Sequence, residues 1–71
     1  MNEVTIKELI EFYDGTNKLV HLKLINGKFY NGLFVEWENE STFIFEDRVV
    51  GLIPILAKHV EVLEEFKRSS L

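Results

Sequence analysis

The sequence predicts a mainly β protein, in which one N-terminal α-helix precedes a strongly bent, five-stranded antiparallel open barrel. Two features of the pattern favour this fold class. Apolar residues repeat with a helical period as far as Gly15, and with the period of two of a β-strand after it. The dipeptide Asn26-Gly27 then marks a hairpin between two strands. Because the chain has only 71 residues, we expect a single domain over residues 1–71.

The first element is a short amphipathic helix, predicted over about residues 5–14. Thr5 and Glu8 have the spacing of a capping box, in which each side chain satisfies a free amide at the start of a helix. Gly15 can adopt the left-handed conformation that ends a helix. One apolar stripe at helical spacing lies between them, formed by Ile6, Leu9, Ile10 and Tyr13.

The barrel is predicted over about residues 19–63 and begins with a hairpin. Apolar and polar residues alternate from Leu19 to Ile25, and both residues of Asn26-Gly27 suit a type I′ turn. The second strand is predicted from Lys28 to Trp37. Gly32 in its middle predicts a bend or a bulge, which would let one strand serve two parts of a curled sheet.

Three shorter strands are predicted at residues 41–46, 49–53 and 59–63. Asp47-Arg48 is expected to connect the third strand to the fourth. Pro54 is expected to end the fourth strand, because proline has no amide hydrogen for a ladder. The charged tail, residues 64–71, is expected to fray or to begin as a helical turn.

Composition narrows the class of protein. The apolar fraction of 46% is too high for a disordered chain, and the absence of cysteine excludes a disulfide framework and a Cys-based zinc site. The net charge of −4 excludes a generally basic nucleic-acid binder. No nucleophile–base pair, P-loop or pair of catalytic acids is visible, so we expect no enzyme activity, no metal and no cofactor. No apolar run approaches the ~20 residues of a membrane span, so we expect a soluble, cytoplasmic protein.

Chain length and the last two strands together predict self-association. A chain this short buries only ~60% of the surface that its unfolded form exposes. The strands at 49–53 and 59–63 are apolar on much of both faces, and exposed apolar edges associate readily. We therefore expect strand pairing between identical subunits that closes a ring.

The stretch from Leu24 to Gly32 resembles the first motif of the Sm, LSm and Hfq family, which has an apolar pair, Asn-Gly, four residues and then Gly. Trp37-Glu38 falls where that family has an aromatic residue and Asp. Residues 42–47 fall where it has Asn-apolar-x-apolar and acidic residues. The resemblance covers roughly residues 5–63. It implies an Sm fold (an SH3-like barrel), a homo-oligomeric ring of about five to seven subunits, and binding of single-stranded RNA that is U-rich or A-rich.

The resemblance implies two groups of RNA-binding residues. Around the pore, Asn39 falls at the reading amide of Hfq, Glu40 at the aromatic that stacks on uridine, and Thr42 at the Asn of LSm proteins. Lys58 is the cation that we expect to join this pore group.

On the opposite face of the ring, Asn31 falls at an amide with which Hfq reads purines. Lys23 and Lys28 flank it, although Lys23 replaces an aromatic residue. Stacking combined with hydrogen bonds to base edges is the usual means of reading single-stranded RNA.

Two functions therefore compete at this point. One is an RNA chaperone or scaffold that acts as a homo-oligomeric ring. The alternative is a ring-forming or SH3-like protein interaction module that has lost RNA binding. The acids Glu38 and Glu40 favour the alternative, as does Pro54-Ile55, which stands where the family carries Arg-Gly or Lys-His.

Overall fold

The computed structural model describes residues 3–16 and 18–65. Helix α1 spans Glu3–Tyr13, so it begins before Thr5, and the predicted capping box is wrong because Thr5 already lies inside the helix. Gly15 has a φ of 78°, as expected for a residue that ends a helix. The Asp14 amide donates to the Ile10 carbonyl at 2.8 Å and completes the last turn.

Within the described residues, five strands form one antiparallel sheet that is not closed into a barrel. This confirms the predicted mainly β class. The strands lie in the order β4-β3-β2-β1-β5, so β4 and β5 are the two edges. The bounds are β1 Val20–Leu24, β2 Phe29–Trp37, β3 Thr42–Asp47, β4 Gly51–Leu56 and β5 Val60–Glu65, and a 3₁₀ turn at Ala57–His59 joins the last two.

The hairpin between β1 and β2 forms where it was predicted, but its turn lies one residue earlier. The Gly27 amide donates to the Leu24 carbonyl at 3.0 Å, which puts Ile25 and Asn26 at the centre of the turn. Gly27 follows with a φ of +91°, and the Leu24 amide donates to the Lys28 carbonyl at 2.8 Å. This is the pattern of a three-residue hairpin loop, in which a left-handed residue follows the turn.

The irregularity of β2 does not lie at Gly32, as the sequence suggested. Gly32 pairs regularly with Val20 on one side and with Asp47 on the other. The register shift falls between Phe34 and Glu36. Gly32 is needed for another reason: a Cβ atom there would collide with the backbone carbonyl of Glu46 on the neighbouring strand.

The fourth strand is shifted along the chain relative to the prediction. Residues 48–50 form a turn, and β4 begins at Gly51 with a φ of +86°. The expectation that Pro54 ends this strand is wrong, since Pro54 pairs with Ile44 and β4 continues to Leu56. An edge strand tolerates proline when the missing amide hydrogen faces away from the ladder.

The core lies between α1 and the inner face of the sheet. Ile6 and Ile10 of the helix are almost fully buried, as are Leu22, Phe43 and Phe45 of the strands. Glu64 and Glu65 belong to β5 rather than to a frayed tail, and residues 66–71 lie outside the described residues. In the ranges described, no helix has the length and apolar character needed to cross a membrane.

Candidate functional site

The outer face of β1 and β2 collects side chains of mixed chemistry. Phe29 and Asn31 lie on the same face of β2, because they are two residues apart. Lys23 lies opposite Phe29 on β1, and His21 lies opposite Asn31. The Phe29 side chain is 62% exposed, and its ring lies 6.0 Å from the His21 ring. An exposed aromatic ring thus stands next to an amide and an imidazole.

The turn after β3 is held against this face by Asp47. Its Oδ1 accepts a hydrogen bond from the backbone amide of Asn31 at 3.0 Å. Its Oδ2 accepts from the backbone amides of Val49 at 2.8 Å and Val50 at 3.0 Å. The Arg48 amide donates to the Asn31 carbonyl at 3.0 Å. Both carboxylate oxygens are therefore used to fix the turn.

The pKa of Asp47 reflects this network. Burial of the side chain would raise it, but the hydrogen bonds from the amides of Val50, Val49 and Asn31, together with the Arg48 charge, outweigh burial and lower the pKa below its ordinary value of 3.8. Asp47 is therefore ionised at neutral pH. It acts as a structural anchor of the turn.

Between the turn and β2 lies an open cleft of about 410 Å³. Val49 and Val50 project from the turn with 89% and 61% of their surface exposed. The wall of the cleft therefore offers apolar surface, an aromatic ring, an amide and a guanidinium group. It is formed by Phe29, Tyr30, Asn31, Asp47, Arg48, Val49 and Val50.

The amide of Asn31 is oriented by His21. Asn31 Oδ1 lies 2.7 Å from His21 Nδ1, and both side chains are partly buried. The imidazole uses one polar group of the Asn31 side-chain amide, and the other polar group remains for another partner. The predicted reading amide is thus in contact with a residue that sequence analysis did not select.

Lysines around this face differ in their surroundings. Lys23 Nζ lies 3.9 Å from a carboxylate oxygen of Glu61, and Lys18 Nζ lies 3.6 Å from one of Glu65. Lys28 is exposed in the hairpin loop, and the described residues provide no ion-pair partner for it. The charges of Lys18 and Lys23 are therefore partly neutralised by acids of β5.

The predicted pore group gathers at another end of the sheet. Asn39 Oδ1 accepts hydrogen bonds from the amides of Ser41 at 2.8 Å and Thr42 at 2.9 Å, so it is committed to the turn between β2 and β3. Glu40 is exposed in that turn, and Thr42 is half-buried. The Ala57 amide donates to the Ser41 carbonyl at 2.8 Å, which brings the 3₁₀ turn with exposed Lys58 next to the loop.

No known family model matches this sequence. The curated proteins searched also give no significant match. Among the described residues no three side chains of the kinds that ligate metals converge.

Sequence analysis did not select the cleft residues Phe29, Asp47 and Arg48 or the two valines of the turn, nor His21, which contacts Asn31. Asp47 could have been found. Asp is common at the start of a turn, where its carboxylate accepts hydrogen bonds from the backbone amides two and three residues later. His21 could not, because its partner Asn31 comes from a pairing register that the sequence does not state.

Proposed function

We propose that this chain forms a homo-oligomeric, Sm-like ring that binds single-stranded RNA in the cleft beside Asn31. The observation that carries the RNA part is the exposed Phe29 ring next to the Asn31 amide, with Arg48 on the same cleft. A ring face can stack on a base, an amide can read the base edge, and a guanidinium can hold the phosphate. The three groups together match the requirements of one nucleotide.

The ring part rests on the two free edges of the sheet. Strand β4 exposes Leu52 to 64% and Leu56 to 37%, and Pro54 between them is also exposed. An edge strand with apolar side chains favours pairing with another chain. The opposite edge, β5, is the complementary partner in a head-to-tail arrangement, which closes into a ring when the rotation between subunits allows it.

The cleft beside Asn31 suits RNA better than the pore group does. Both asparagines use part of their side-chain amide in an internal hydrogen bond, so the difference lies in the neighbouring charges. The Glu40 carboxylate beside Asn39 repels phosphate, whereas Lys28 near Asn31 is exposed and attracts it. By the resemblance to Hfq, the Asn31 face is the one that reads purines, so we expect A-rich RNA to bind more tightly than U-rich RNA.

The decisive experiment combines light scattering with fluorescence polarisation. We expect an assembled mass of several subunits and binding of a labelled oligoadenylate that weakens as salt rises. The Asn31→Ala variant should lose most of this binding, whereas Asn39→Ala should keep it, with circular dichroism to check that both variants fold. A monomer would overturn the ring, and a ring that binds neither oligoadenylate nor oligouridylate would overturn the RNA function.

One observation favours a second function, that of a protein interaction module. The loop between β2 and β3 carries exposed Glu38 and Glu40, and β5 pairs its acids with Lys18 and Lys23. Such a surface is a poor match for a polyanion. A stable ring without affinity for RNA would support this alternative.

A further inference from the structure

A second cavity lies between α1 and the loop after β2, away from the cleft beside Asn31. Its volume is about 310 Å³, and it is lined by Lys7, Glu11, Trp37, Asn39 and Glu40. The indole of Trp37 is half-buried and has Phe34 and Phe43 behind it, with ring centroids 6.2 Å and 5.5 Å away. These contacts fix the indole at the cavity wall.

One cation already lies over this indole. Lys7 Nζ is 5.8 Å from the centroid of the Trp37 ring, which is within the range of a cation–π interaction. The described residues provide no carboxylate within ion-pair distance of Lys7. The structure therefore shows the Lys7 ammonium attracted to the aromatic face of Trp37.

The remaining charged groups of the cavity are acidic. Glu11 and Glu40 line it and both are exposed, so the cavity lining carries two carboxylates and the single ammonium of Lys7. An aromatic face flanked by carboxylates attracts cations by two additive effects, the ring quadrupole and simple charge. The same carboxylates repel phosphate, so the cavity is unsuited to the backbone of RNA.

We infer that this cavity binds the cationic head of a lysine or arginine side chain from a basic peptide segment of a partner protein. In the free protein Lys7 covers the ring face, and the incoming cation displaces it. The proposal is independent of RNA binding, because it uses none of the residues of the cleft beside Asn31.

Trp37 is the only tryptophan of the chain, so its fluorescence reports on this cavity alone. We would titrate the full chain with choline, and with its neutral isostere 3,3-dimethylbutan-1-ol. We expect a saturable change of Trp37 fluorescence with choline and none with the isostere. Equal responses to both would overturn the cationic specificity, and no response to choline in the Lys7→Met variant would overturn the site.

Removing the internal competitor should strengthen binding. Since a cation–π contact at an exposed site is modest, we expect Lys7→Met to bind choline roughly two- to fivefold more tightly than the parent. The matched control is Lys18→Met, which changes the net charge equally but lies outside the cavity. An equal gain in Lys18→Met would show that only net charge matters and would overturn the role of Lys7.

A second experiment uses peptides to test whether the partner is a basic segment. We would measure, by calorimetry, binding of an acetylated peptide of alternating glycine, lysine and arginine, and of its glutamine counterpart. The basic peptide should bind, and Glu40→Gln should weaken it more than Glu64→Gln, an exposed acid on β5. Equal weakening by the two substitutions, or binding of the glutamine peptide, would contradict the proposal.

Discussion

Asp47 Oδ1 lies 3.0 Å from the backbone nitrogen of Asn31 and accepts its hydrogen bond, so the last residue of β3 fixes the strand that carries the amide of the proposed binding cleft. The other oxygen of the same carboxylate holds the turn that forms the opposite wall. One carboxylate therefore bonds both to β2 and to the turn, the two segments that line the cleft. Stability and RNA binding should both depend on it.

Replacing Asp47 should destabilise the fold. Asp47→Ala leaves three backbone amides without an acceptor, and a buried donor without a partner costs roughly 1–3 kcal/mol. We expect a loss of about that size in the free energy of unfolding, measured by urea denaturation at neutral pH. The control is Glu46→Ala, because the Glu46 side chain is exposed on the adjacent position of the strand. Equal losses in the two variants would contradict the anchoring role.

The same carboxylate predicts a loss of stability in acid. The folded pKa of Asp47 is lower than its ordinary value of 3.8, so the unfolded chain binds its proton more readily. Its contribution is therefore fully present above pH 3.8 and is lost as the pH falls through the folded pKa. We expect the difference in unfolding free energy between the parent and Asp47→Asn to shrink as the pH falls from 5 to about 2. A difference that stays constant over this range would exclude Asp47 as the titrating group.

Gly32 should tolerate no side chain. A Cβ atom at this position meets the Glu46 carbonyl, and a clash between two paired strands cannot be relieved by a rotamer change. We expect Gly32→Ala to cost more than about 3 kcal/mol, above the usual cost of overpacking. Gly15→Ala is the control, because Gly15 has free space around it. The only cost there is that of holding alanine in the left-handed conformation, about 1–2 kcal/mol. Thermal unfolding of the two variants compares these costs, and a milder effect at Gly32 would contradict the close approach.

The outcome at Gly32 illustrates what local sequence can predict here. The order of one helix and five strands followed from periodicity and from the glycines at 15 and 27, which are local signals. The reason for Gly32 was not accessible, since it depends on the strand opposite it. Pro54 was misplaced for a similar reason, because only the sheet order shows that β4 is an edge.

The residues of the candidate site show the same contrast between local sequence signals and features that depend on strand pairing. Asn31 was selected from a motif, but its partner His21 and the turn fixed by Asp47 depend on strand register. Lys23 was also selected from the motif, but its neighbour Glu61 is placed beside it by the pairing of β1 with β5. The residues were therefore easier to predict than the neighbours that decide their chemistry.

The proposed ring makes Leu52 a test of association. Its side chain is 64% exposed on the edge strand β4, and a charge on an edge strand opposes pairing with another chain. We expect Leu52→Lys to keep its circular dichroism spectrum and to lower the assembled mass seen by light scattering. Ile25→Lys is the matched control, since Ile25 is also 64% exposed but lies in the hairpin loop. Dissociation by Ile25→Lys alone would place the interface elsewhere.

Lys28 provides the corresponding test for RNA. If its free ammonium contacts a phosphate, Lys28→Ala should weaken oligoadenylate binding and reduce the slope of log affinity against log salt by about 0.7, the value for one contact with single-stranded nucleic acid. Lys18→Ala removes the same charge from a lysine that lies 3.6 Å from Glu65, so its slope should change less. Polarisation titrations at several salt concentrations measure both slopes. Equal reductions would mean that the attraction comes from the general charge of the chain, and that Lys28 has no contact of its own with the RNA.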